Sequence, residues 1–275
     1  MRVMSYNVNG FKGNKDSLIN MRENLDKIEA FLKGFLLADE DNLVILQEVP
    51  LKDNAICYKK IIEKFKDYKF ICSYNVNAAN FVTVAIANEK SNWIKQDDFL
   101  NQKIEYKYAE NTDKTDYNNR FVELYNEDYS LRVLGLHIPL KKKDNIKNVD
   151  QFWSIIKNYK NKYTETNMTP LMIIGDLNAE DSKGSAYQKE IQNILEKGKD
   201  FIDNGTYKAK DGYNIIDHIL AYDENLFDQE AKGEVINSID YSDHYPILSP
   251  PIKKLPIENW KNYVDFIYEC VIINL

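Results

Sequence analysis

Three cysteines in 275 residues, Cys57, Cys72 and Cys270, are too few for a disulfide framework. With no Cys-x-x-Cys spacing among them they also argue against a zinc site, and their number suits a reducing compartment. Long hydrophobic runs are missing: no stretch approaches the roughly eighteen apolar residues that a membrane-spanning helix needs. No charged segment followed by an apolar one precedes the first strand-like run, Val3 to Val8, so the expected location is cytoplasmic. A basic excess is lacking as well. Lys and Arg number 36 against 43 Asp and Glu, and the net charge of −7 offers polyanions no general attraction. Any nucleic-acid contact must then come from a local patch. Ten glycines and seven prolines form no repeat, low-complexity tract or linker. The chain therefore reads as one large domain, residues 1–250, with a helical extension at 251–275 that packs on the body.

What is present is a globular composition, 44% hydrophobic and 29% charged, with 19 tyrosines read chiefly as core packing. Its centre is Leu171-Met-Ile-Ile-Gly-Asp-Leu-Asn-Ala-Glu180. An apolar run bounded by Pro170 and stopped by Gly175 predicts a buried strand that delivers Asp176 and Asn178 to one edge of a sheet. A carboxylate and a carboxamide two residues apart suit a hard cation or a held water, although an Asx-turn closing the strand would leave the same pattern.

The pattern recurs. Strands are predicted at Arg2 to Asn7, Asn42 to Val49 with Pro50 ending it, Tyr68 to Ser73, Phe81 to Ala87, Ile215 to Leu220 and Gly233 to Ile239. Arg120 to Tyr125 and Leu131 to Ile138 form a hairpin. Helical spacing marks Ser17 to Leu37, Ile56 to Phe65, Val149 to Tyr163, Ala186 to Lys197 and Ile257 to Val271. Strands interspersed with helices and a hairpin predict a mixed sheet. Polar residues stand repeatedly where apolar runs stop: Asn7, Glu48, His137, Asp176. Asp217 lies within such a run, where an ionised carboxylate needs a donor, and an imidazole can supply one.

Together these residues resemble the endonuclease/exonuclease/phosphatase superfamily with the deoxyribonuclease I-like fold. The resemblance rests on Ser5-Tyr-Asn7, Leu46-Gln-Glu48, Leu136-His137, Ile174-Gly-Asp-Leu-Asn178, Ile216-Asp217 and Ser242-Asp-His244-Tyr-Pro246, all in the family's order from Val3 to Leu248. It implies an α/β (α+β) four-layer sandwich, two packed mixed sheets flanked by helices. It also implies phosphoester hydrolysis with Mg²⁺ or Mn²⁺. Carried over by position, Glu48, Asn7 and Asp243 hold the metal, and Asp176 and Asn178 hold the attacking water or phosphate oxygens. His244, oriented by Asp217, is the general base or a phosphate-contacting acid. His137 and Arg120 contact phosphate, His137 with a catalytic role besides.

His137 sets the chain beside deoxyribonuclease I, sphingomyelinases and related phosphodiesterases, and away from abasic-site repair as a main task, although Asn7-Val-Asn9-Gly10 looks like the opening of the repair enzymes. One departure stands out. Deoxyribonuclease I-like enzymes pair this histidine with a carboxylate before the strand at Phe81, yet Ser73 to Asn88 contains no Asp or Glu. The implied function is a metal-dependent nuclease on DNA or RNA, acting as a monomer. A phospholipid or inositol phosphate phosphohydrolase, taking a small phosphoester, is the alternative within the same chemistry. A catalytically idle binding protein is the alternative outside it. Substrate choice would lie in loops such as Asn101 to Asn119 and the basic Lys141-Lys-Lys143.

Overall fold

The computed structural model describes residues 1–13, 18–50, 55–72, 81–99, 119–140, 142, 146–166, 169–179, 188–209, 212–228 and 230–254. In chain order these form β1 (Val3–Asn7), α1 (Leu18–Ala38), β2 (Leu43–Pro50), α2 (Ala55–Lys64), β3 (Tyr68–Cys72), β4 (Phe81–Asn88) and β5 (Trp93–Lys95). They continue with β6 (Phe121–Asn126), β7 (Leu131–His137), α3 (Ile146–Thr166), β8 (Leu171–Asp176), α4 (Gln188–Leu195), β9 (Lys199–Asp200), β10 (Tyr207–Ala209), β11 (Gly212–Asn214), β12 (Asp217–Ala221), β13 (Glu234–Val235) and β14 (Ile247–Leu248).

Two six-stranded sheets result, ordered β13-β14-β1-β2-β4-β3 and β5-β6-β7-β8-β12-β9, with β10 and β11 as a separate pair. Each large sheet contains one parallel pair, β1 with β2 and β7 with β8, among antiparallel neighbours. Period-two alternation sorts their side chains. Val3, Leu43, Ile45, Val133, Met172, Ile174 and Ile219 meet between the sheets, while Met4, Val44, Leu46 and Leu134, Leu136, Ile173 turn outward. The outward faces are covered by helices. Met21, Leu25, Ile28 and Leu32 of α1 and Ile61 of α2 lie on the first sheet, and Phe152, Ile156 and Tyr159 of α3 and Ile191 of α4 on the second. This is the four-layer sandwich that the resemblance implied.

Three elements differ from their sequence patterns. The run at 233–239 yields only β13, because its neighbour continues into Pro246, which has no N–H for the ladder and serves Ile236 through its carbonyl alone. β2 runs through Pro50, which pairs with Phe81. β12 starts at Asp217, since the Thr206 hydroxyl takes the N–H groups of Ile216 and Asp217. The helix expected at 257–271, the loop expected over 101–118, Lys141 and Lys143 lie outside the described residues.

Candidate active site

At one end the core between the sheets changes chemistry. The inward rows are Val133-Gly135-His137 on β7, Met172-Ile174-Asp176 on β8 and Ala221-Ile219-Asp217 on β12, which runs the opposite way. Each apolar row ends in a polar residue. Register then aligns them, since Asp176 is the ladder neighbour of both His137 and Asp217. The geometry depends on Gly175, whose φ is +144° and where an added Cβ would stand 2.0 Å from the Leu136 carbonyl oxygen.

On the facing sheet, Val3-Ser5-Asn7 of β1 and Ile45-Gln47 of β2 end in polar residues too. Glu48 joins them by a bulge. The β2–β4 register shifts between Leu46 and Val49, and Glu48 has φ +56°. Leu46 and Val49 both face the helices, so Gln47 and Glu48 share the inward side. A non-glycine residue in this region costs about 1–3 kcal/mol, a strain typical of functional positions.

The side chains form one network. His244 Nδ1 lies 2.9 Å from Asp217 Oδ2, and its Nε2 lies 3.8 Å from Asp176 Oδ2. The Asn7 carboxamide donates to Asp176 Oδ2 at 2.8 Å and bonds Glu48, while its oxygen accepts the Asn9 N–H at 3.0 Å. His137 Nε2 lies 3.3 Å from Glu48 Oε1 and 3.7 Å from Asp176 Oδ2. Arg120 Nη1 lies 3.1 Å from His137 Nδ1 and 3.4 Å from its Nε2, and since a guanidinium only donates, the imidazole is the acceptor. Glu48 and Arg120 thus flank His137 in place of the carboxylate absent from Ser73 to Asn88. Asn178, at φ +48°, donates its side-chain amide to Ile138 O at 2.7 Å and its backbone N–H to Asp176 Oδ1 at 2.9 Å. The Asx-turn and the site occupy the same residues.

Electrostatics separates the two histidines. Burial, then the charges of Arg120 and His244, push His137 well below its ordinary value, so it is neutral. Burial opposes charge on His244 as well, but Asp217, Asp176 and Asp243 outweigh it and hold this imidazole at about 10. Burial raises the Asp176 carboxyl against the pull of His244, and Asp217 adds to the rise. Burial also raises Glu48, with Asp243 adding to the effect and His244 and Arg120 opposing it.

Carboxylates this crowded disfavour their own ionisation, and a divalent cation would relieve that cost. The donor set fits such an ion, being carboxylate oxygens of the kind Mg²⁺ and Mn²⁺ prefer. Asp176, Asp217 and His244 also offer ligand atoms within 4.8 Å of one another. A metal there would have to break the Asp217–His244 hydrogen bond, whereas Glu48 and Asp243 are partly exposed and uncommitted to that pair.

The structure therefore gathers Asn7, Glu48, Arg120, His137, Asp176, Asn178, Asp217, Asp243 and His244 at one end of the two sheets. The third histidine is elsewhere: His218, next to Asp217 and so on the opposite face of β12, bonds Asp200 and Ala179 O at 2.6 Å each. Sequence reasoning missed Thr206, which pins the start of β12, and Tyr207, whose ring lies 4.9 Å from that of His244. Neither stands at the end of an apolar run, and no local pattern marks them.

No protein-family profile and no curated protein sequence matches the chain. Solved structures do. The AP endonuclease LMAP from Leishmania major superposes with a TM-score of 0.61 at 12% identity, covering 92% of this chain and 87% of its own. A 3'-5' exonuclease, NExo, from Neisseria meningitidis gives 0.58 at 17% identity, with 92% and 100% covered. Truncated Caenorhabditis elegans TDP2 gives 0.57 at 17% identity, with 92% and 97% covered. At these identities the likeness shows the fold alone: this chain has the deoxyribonuclease I-like fold of these structures.

Proposed function

We propose that this chain is a divalent-metal-dependent phosphodiesterase that hydrolyses DNA or RNA. The observation that carries the reading is the line His137, Asp176, Asp217 across three adjacent strands, with His244 closing it at 2.9 Å from Asp217. In-line attack on a phosphodiester needs an activated water, neutralised nonbridging oxygens and a stabilised leaving oxygen. Mg²⁺ or Mn²⁺ held by Glu48 and Asp243, beside Asn7, would supply Lewis-acid neutralisation of phosphoryl charge. Asp176, raised by burial toward neutrality, is the group suited to accept the water's proton. His244, oriented by Asp217 and carrying a value raised by its neighbouring carboxylates, is taken here as the acid of its two implied roles, donating from Nε2 to a phosphoryl oxygen. Neutral His137 presents its remaining N–H, and Arg120 its charge, from the other side. The solved neighbours include an AP endonuclease, a 3'-5' exonuclease and a Neisseria 3' phosphatase bound to a product DNA hairpin, which supports nucleic acid over a lipid or inositol phosphate substrate.

The test is hydrolysis of plasmid and single-stranded DNA in parallel with RNA, sphingomyelin and inositol phosphates, with Mg²⁺, with Mn²⁺ and with EDTA. Cleavage of nucleic acid that needs metal is the expected result. Substituting Ala for Glu48, Asp176 or His244 should each cost several orders of magnitude in rate with the fold intact, on the order of 10²- to 10⁴-fold per acid–base group. Near-normal rates in all three variants would refute the assignment, and turnover of a lipid alone would transfer the mechanism to the alternative substrate.

A further inference from the structure

The hairpin of β10 and β11 belongs to neither large sheet, yet its backbone is bonded to the segment that carries His244. Lys208 donates its backbone N–H to Asp243 O at 2.9 Å and Tyr245 donates to Thr206 O at 2.8 Å, with Tyr207 bridging His244 between them. The Tyr207 ring is thereby held 4.9 Å from the His244 ring, inclined by 55°. The charges acting on its hydroxyl are those of Asp243 and Asp176, the first next to His244 in the chain and the second at the end of β8. The phenol ring therefore stands beside the imidazole whose Nε2 faces Asp176.

Most other tyrosine hydroxyls near the core are committed. Tyr129, Tyr159, Tyr163 and Tyr222 donate to Asp41, Glu123, Asp98 and Ile194 O. Among the described residues the Tyr207 hydroxyl has no such partner, and the side chain is only half-buried. A phenol with an ordinary value near 10 is protonated at neutral pH, so it is a donor. A protonated donor beside a charged imidazole and two acids has one natural acceptor on a phosphoester, an oxygen that gains negative charge during the reaction.

We infer that Tyr207 is a further catalytic residue, whose hydroxyl donates a hydrogen bond to a nonbridging oxygen of the scissile phosphate alongside His244. The inference rests on the proposed phosphodiesterase reading. The phenolic proton stays on its oxygen throughout, and no bond to Tyr207 forms or breaks.

Tyr207→Phe tests it, because the ring and its packing on His244 remain while the donor is lost. On a metal-activated oligonucleotide substrate, kcat should fall about 10- to 100-fold, with KM within about twofold and the thermal midpoint unchanged. Sulfur accepts hydrogen bonds poorly. Wild type should therefore slow on one phosphorothioate diastereomer, and Tyr207→Phe should show a smaller penalty on that diastereomer. A wild-type kcat in Tyr207→Phe would overturn the inference, as would a reduced kcat with an unchanged diastereomer penalty. So would a near-normal Phe variant beside a crippled Tyr207→Ala, which would make the role one of packing. The two readings fail separately. A wild-type protein inert on every phosphoester defeats both, whereas an active wild type matched by Tyr207→Phe defeats only this one.

Discussion

His137 and His244 stand at 3.7 and 3.8 Å from the same Asp176 oxygen and are held in opposite charge states. Burial lowers both; Arg120 adds to it at His137, whereas Asp217 and the other carboxylates outweigh it at His244. In the metal-free protein, NMR titration of the imidazoles should find His137 neutral throughout the range from pH 6.5 upward and His244 charged until pH approaches about 10. Coincident titrations near the ordinary 6.5 would contradict this account. The stability linkage for His244 follows from a folded value raised above the unfolded one. Its contribution is complete below about pH 6.5 and is lost as pH rises through 10. Asp217→Asn should remove much of that alkaline loss in urea titrations, and should cut the hydrolytic rate by on the order of 100-fold. Glu48 shows the opposite balance of stability and function. It sits at φ +56° with a carboxyl that burial disfavours as an ion, so Glu48→Gly should raise metal-free stability by about 1 kcal/mol while abolishing activity. A drop in melting temperature would show that the residue is held for packing instead.

At the scale of elements, the ends of β7, β8 and β12 act as one platform, and glycine lets them approach. Gly175→Ala drives a Cβ against the Leu136 carbonyl, a backbone atom that cannot rotate aside, and should cost more than about 2 kcal/mol in denaturant titration. Gly34 in α1, where an added Cβ meets nothing within 4 Å, is the internal control and should gain up to about 1 kcal/mol as Ala. On the outward face of the same platform, His218 ties β12 to Asp200 of β9 and to the Ala179 carbonyl just after Asn178. Burial works against its charge, but Asp200 and the Ala179 carbonyl raise its value, so this pair stabilises most below about pH 6.5 and less as pH rises through the folded value. Asp200→Asn strands a buried imidazole and should cost about 3–5 kcal/mol at pH 6, less at pH 9. An equal cost at both pH values would mean that the pair is not charged.

At the scale of the molecule, the site needs both sheets: Asn7 and Glu48 come from one, and Arg120, His137, Asp176 and Asp217 from the other or its edge. The division into a catalytic body, 1–250, and an extension, 251–275, stands as a proposal. Removing residues 255–275 should leave metal-dependent hydrolysis within a few-fold of the full chain, and loss of folding on truncation would join the extension to the body. Among the described residues no helix is long and apolar enough to cross a membrane. By itself the sequence determined the alternation of apolar runs and helical stripes, hence the mixed sheets, and it marked Asn7, Glu48, His137 and Asp176 because each interrupts a local period. It also singled out Asp217 as a buried charge in need of an imidazole. Such signals are local, since strand period and the cost of burying charge act within a few residues. Only the tertiary structure decided that Arg120 and Glu48 flank His137, that a bulge turns Glu48 inward, and that Tyr207 lies over His244. Those facts depend on register between strands distant in sequence and on the docking of a hairpin, and neither leaves a period in the chain.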